Sequence, residues 1–120
     1  MRVKAGLEAN FLIPNDKLDV KYHSVMLRGS ETLGNIIEAF LSGHFSAYQV
    51  VATNIKGFWR GSFDGIYTQF KVAFVGKDRL NDLEGFLEAV AIAIGHECIY
   101  LKTGEDVWFV YPEEEKQYQL

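Results

Sequence analysis

At 120 residues the chain suffices for one domain that buries roughly two thirds of the surface its unfolded form exposes. Hydrophobic residues make up 48% and charged residues 23%, a balance that excludes a disordered chain and a fibrous repeat. The formal net charge of -4 argues against a protein held on nucleic acid by clustered Lys and Arg and still suits a cationic small ligand.

Taken in chain order, Val3, Ala5, Leu7, Ala9, Phe11 and Ile13 are apolar, with Lys4, Glu8 and Asn10 between them. This period of two predicts a half-buried strand. Residues 14–28, PNDKLDVKYHSVMLR, keep no period and open on a turn signal, which predicts a long connection with room for one short strand. Ser30 is placed to cap a helix in which Leu33, Ile36, Ile37, Phe40 and Leu41 recur at helical spacing, with Gly43 to stop it. Strands are predicted over 48–55 and 67–75, the second with Phe70, Val72 and Phe74 on one face. The stretch TNIKGFWRGSFDG, residues 53–65, joins them.

After Asp78, the spacing of Leu80, Leu83, Leu87, Val90, Ala91 and Ile94 predicts a second amphipathic helix ending at Gly95. Short strands over 98–102 and 107–111 flank TGED, a hairpin turn whose glycine can take positive φ. The domain is expected to span 1–112, and the acidic, polar tail 113–120 is expected to fray.

The order β-α-β-β-α-β with an extra C-terminal strand predicts an α+β, ferredoxin-like sandwich, both helices covering one face of an antiparallel sheet. The opposite face would carry Tyr67, Gln69 and Lys71 beside Lys4, Glu8 and Asn10. Fold analogy points to a cyclic homotrimer covering that face. No apolar run reaches the ~18 residues of a membrane span, and MRVKAGLEAN lacks a signal-peptide core. The expectation is no membrane and a cytoplasmic location. Cys98 is the single cysteine; it reads as a packed strand residue in a reducing compartment.

His23, His44 and His96 lie far apart, without HExxH or CxxC, so no metal site and no cofactor is expected. No GxSxG elbow is present. Gly57, Gly61 and Gly65 open no helix and end in no Gly-Lys-Ser/Thr, so they read as hairpin glycines and not as a phosphate loop. Phe58 and Trp59 read either as plugs at the sheet edge or as ring surface for a base or a cation. Arg60, with Lys56 nearby, reads as a carboxylate-recognising fork or as a solvated loop charge. Glu105, followed by Asp106, is a turn residue unless the two hairpins converge on one site.

TNIKGFWRG, then YTQFKVAF, then HECIYLKTGEDVWFVY resemble, in order and nearly in spacing, segments of the small phage-encoded S-adenosylmethionine lyases, formerly called hydrolases. The shared pattern is Thr53, Gly57, Trp59, Arg60, Thr68, Lys71, Cys98 and the Val110-Tyr111 pair, over about half the chain. The resemblance implies a trimer of ferredoxin-like sandwiches similar to PII signalling proteins, with sites between subunits. It further implies cleavage of S-adenosylmethionine to 5'-methylthioadenosine and L-homoserine lactone by the substrate's own carboxylate, in an infected bacterial host, as a phage counter to methylation-dependent restriction. Thr53, Phe58, Trp59, Arg60, Tyr67 and Lys71 would then bind substrate, with Gln69 and Glu105 at the chemistry. Where the resemblance leads one to expect a glutamate, the chain has Gln69. Either Glu105 or Glu8 takes over the charge, or the chain is an inactivated variant that traps substrate. The alternative function is a PII-like trimeric nucleotide binder without catalysis.

Overall fold

The computed structural model describes residues 1–2, 6–114 and 116–120. A five-stranded antiparallel sheet has the order β4-β5-β1-β6-β7, built from Leu7–Pro14 (β1), Ala47–Trp59 (β4), Ser62–Phe74 (β5), Ile99–Thr103 (β6) and Asp106–Val110 (β7). Helix α2, Leu33–His44, carries the chain from β1 to β4, and helix α3, Asp78–Ile94, carries it from β5 to β6. The chain is thus an α+β domain. Both helices lie on the same side, because the buried strand residues Ala9, Phe11, Ile13, Phe70, Val72, Phe74, Ile99 and Leu101 form one core with Leu33, Ile37, Leu83, Leu87 and Val90. Alternation sends Glu8, Asn10, Leu12, Tyr67, Gln69 and Lys71 to the opposite, uncovered face. There Lys71 pairs with Glu8 at 3.2 Å and the Gln69 amide donates to Asn10 Oδ1 at 3.0 Å.

The strand expected over 3–13 is present from Leu7 onward; residues 3–5 lie outside the described residues. Residues 14–28 are more structured than their aperiodic sequence suggests. They hold a short helix, Asn15–Leu18 (α1), and strand Lys21–Ser24 (β2), which pairs with Gly29–Thr32 (β3) in a separate two-stranded sheet. Four-residue strands are too short to display a period. Ser30 is consumed by β3, so the α2 cap falls to Thr32, whose hydroxyl accepts from Asn35 N–H at 3.3 Å, while Glu31 accepts from the Asn35 amide at 2.7 Å. Nor does Gly43 stop α2; the chain turns extended at Phe45, whose ring packs edge-on to Phe74 at 5.9 Å between centroids. The expectation for α3 holds, with Gly95 at φ 71° and the pair of bonds Gly95 N–H to Ile92 O and His96 N–H to Ala91 O.

The described tail residues dock on the domain. Leu120 packs against the core, and its carbonyl accepts from Val25 N–H at 3.0 Å and the buried Ser24 hydroxyl at 3.2 Å. Lys116 reaches the buried Glu88 of α3 at 3.8 Å. An acidic, polar composition misled here because Leu120, Lys116 and Tyr118 carry the docking. Among the described residues, no helix is long and apolar enough to cross a membrane.

Glu88 makes stability depend on pH. Burial raises its pKa above the ordinary carboxylate range; Glu113 and Glu84 add to this, and Lys116 and Tyr118 oppose it. The unfolded chain therefore releases this proton at lower pH than the folded one. The stability Glu88 contributes is full below its unfolded pKa, about 4.3, and is lost as pH rises through the raised folded value. Glu88→Gln removes that loss, so melting curves of the two chains should agree closely in acid and separate toward neutral pH, with the glutamine variant higher. A gap independent of pH would contradict this origin.

Candidate functional site

Strands β4 and β5 are each thirteen residues long, whereas β1 stops at Pro14 opposite Tyr67. The pairs from Lys56↔Ile66 to Trp59↔Ser62 therefore form an arm that projects past the rest of the sheet. The expected strands were shorter, and most of the stretch 53–65 is ladder. Only Arg60 and Gly61 make the turn, at φ 50° and 81°, the left-handed pair that a two-residue hairpin needs. Thr53 and Asn54 lie where the register shifts between Ala52 and Ile55.

The arm curls. β4 and β7 are opposite edges of the sheet, about 19 Å apart at four strand spacings if the sheet were flat. Yet the Trp59 ring meets Phe109 of β7 edge-on, centroids 5.4 Å apart, and Phe109 meets Tyr100 at 6.3 Å. Beneath this bridge lies a pocket of about 310 Å³. Its lining includes Trp59, Asp64, Tyr67, Tyr100, Phe109 and Tyr111. His96, Glu97 and Cys98, delivered by the turn that ends α3, complete one end.

Tyr67 is the hinge of this site. Its ring lies against Gly57, leaving no room there for a Cβ, and its hydroxyl donates to Asp64. Burial first, and Asp64 second, push its pKa far above the ordinary phenol value, so it stays a donor. Arg60 lies over the Trp59 ring at 5.5 Å. The neighbouring Cys98 thiol raises the Tyr111 pKa, and Arg60 opposes that shift.

Of the residues expected to bind or act, Phe58, Trp59 and Tyr67 line the pocket, whereas Arg60 lies over the Trp59 ring at the arm tip and is not part of the lining. Gln69 is two residues behind Tyr67 on the same open face, opposite Leu12 of the pocket lining. Thr53 and Lys71 stand outside it. The Thr53 carbonyl accepts from the Asn15 amide, whose oxygen accepts from the buried Thr68 hydroxyl, so Thr53 helps seat β4 on α1. Lys71 is engaged with Glu8. Within the chain the two hairpins do not converge, because β6 runs antiparallel to β1 and its end, Thr103, pairs near the start of β1, at Ala9. Glu105 thus lies at the opposite end of the sheet from Arg60. Glu8, the other proposed substitute, also lies toward that far end.

Cys98 is half-buried and precedes β6, so it is a pocket residue and not a packed strand position. Asp64, Tyr100, Phe109 and Glu97 were not singled out from sequence, and His96 was weighed there only as a metal ligand. Their signal was weak: Tyr100 and Phe109 alternate with the core residues Ile99, Leu101 and Val110, which places them on the open face but does not bring the arm to them. Among the described residues, no group of three or more His, Cys, Asp or Glu side chains is arranged to hold a metal ion.

Gly57→Ala should drive the Tyr67 ring off the arm, break its bond to Asp64 and cost about 1–3 kcal/mol, as overpacking does. Melting temperature and the Tyr67 ring signals in an NMR spectrum would report it; an unchanged ring environment would contradict the role given to Gly57. Comparisons with protein-family models, curated proteins and solved structures found no match.

Proposed function

We propose that the chain is an S-adenosylmethionine lyase built on a ferredoxin-like, PII-like sandwich, acting as a trimer whose open sheet faces adjoin. The observation that carries this reading is the pocket walled by Trp59, Tyr67, Tyr100 and Phe109 with Asp64 and Glu97 at its margin. Aromatic faces attract a cation and stack on a base, and the carboxylates add favourable charge. A sulfonium attached to adenosine presents both a cation and a base. The split order β4-β5-β1-β6 and the two helix crossovers support the sandwich assignment.

The reaction asks little of the protein. A carboxylate oxygen of the substrate attacks its own γ-carbon, the carbon–sulfur bond breaks, and the electron pair leaves on sulfur. The products are 5'-methylthioadenosine and homoserine lactone; no proton, water or external nucleophile is consumed. The step annihilates a carboxylate and a sulfonium charge, so a water-poor aromatic pocket raises the ground state relative to the transition state. Holding the methionine arm folded for attack supplies the rest. Gln69, with Asn10 bonded to it, would receive the amino-acid end, with a neighbouring subunit closing the site.

The test is incubation of the full chain with S-adenosylmethionine and chromatography for methylthioadenosine, with homoserine lactone expected before homoserine. Gln69→Glu should raise turnover, because a carboxylate beside the sulfonium adds a charge-assisted contact. Asn10 can accommodate it by turning its NH2 toward the new acceptor. Nucleotide binding without product from either chain would replace the lyase by the PII-like binder. Light scattering should give three times the chain mass; a monomer at micromolar concentration would refute the adjoining faces.

A further inference from the structure

We propose that the described residues of the C-terminal segment, 112–114 and 116–120, act as a strap whose docking on the helix face positions Tyr111 in the wall of the aromatic pocket. Tyr111 lies beyond the last β7 ladder pair, Ile99↔Val110, and is 49% exposed, so neither the sheet nor the core holds its ring. Cys98 lines the same pocket. Next in the chain comes Pro112, which confines Tyr111 to extended backbone and so couples its direction to that of the strap.

The strap is fastened at several points. Glu113 N–H donates to the Tyr118 hydroxyl at 2.8 Å, and Lys116 N–H donates to Glu113 O at 3.3 Å. These two bonds close the segment on itself. Lys116 then reaches Glu88 on α3, and its ammonium also lies over the Tyr118 ring at 5.6 Å. Tyr118, Gln119 and Leu120 sit among Phe40, Phe86 and Ala89 of the helices and Tyr22 and Val25 of the β2–β3 hairpin. The final anchor is Leu120 O, which accepts from Val25 N–H and Ser24 Oγ. A short link therefore joins a ring in the pocket to a segment docked on the opposite layer, and release of the second frees the first.

The proposal rests on the pocket as the ligand site, and its test separates the two. In the full chain, Lys116→Ala combined with Tyr118→Phe removes the side-chain fasteners while keeping Leu120 in the core. Hydrogen exchange is read on strap, β7 and core amides, and S-adenosylmethionine affinity by calorimetry. Strap release is expected to speed exchange through 106–111 about tenfold while the amides of Phe11 and Phe70 stay protected, and to weaken nucleotide binding severalfold. Lys116→Arg, which retains the pairing with Glu88, should restore both. Free exchange in 116–120 with 106–111 and affinity unchanged would overturn the proposal, as would equal loss of protection in the core. If no chain binds S-adenosylmethionine, the ligand assignment fails, and exchange at 106–111 alone decides the coupling of strap to pocket wall.

Discussion

The close approach of the Tyr67 ring to Gly57 is the constraint on which the site depends. A side chain at position 57 would hold the ring away, and the paired Gly65 leaves the arm without a side chain on either strand at that level. Two strands lacking Cβ atoms can bend where others cannot. The bend carries Trp59 across the sheet end to Phe109, and the bridge encloses the pocket. Tyr67 then covers the backbone that the glycines expose, so one ring both fills the gap and forms the wall.

Much of the main sheet and both long helices was legible because long elements display their period. Phe70, Val72 and Phe74 alternate on β5, and Leu83, Leu87 and Val90 recur on α3; all are buried. The elements that escaped are those whose period has no room to develop. β2 and β3 have four residues each and owe their place to tertiary bonds, such as Leu33 N–H to Val20 O. The tail shows the same limit, since its docking depends on a buried Glu88 that the sequence presents as one more helix carboxylate.

The site was legible in its pieces and not in its assembly. Phe58, Trp59 and Arg60 stand out as bulky residues in a hairpin, but their distance from Phe109 in sequence hides the contact that encloses the pocket. Glu105 shows the converse within the chain. Two hairpin tips look equivalent in sequence, and only the antiparallel sense of β6 against β1 sends them to opposite ends of the sheet.

The devices that shape the pocket also interrupt the edge of the sheet. A long flat edge strand invites pairing with a second copy, and β4 has thirteen residues at such an edge. Its register shifts at Val50/Ala52, Ala52/Ile55 and Gly57/Phe58 interrupt the regular row of backbone donors and acceptors and increase the local twist. The same irregularities let the arm curl toward β7, whose Phe109 is occupied by Trp59. The open face is different: Tyr67, Gln69, Asn10 and the Lys71–Glu8 pair form a polar and aromatic surface whose side chains, unlike those backbone edges, can be covered face to face. The irregular β4 edge thus offers a second copy less regular backbone to pair with than a flat edge would.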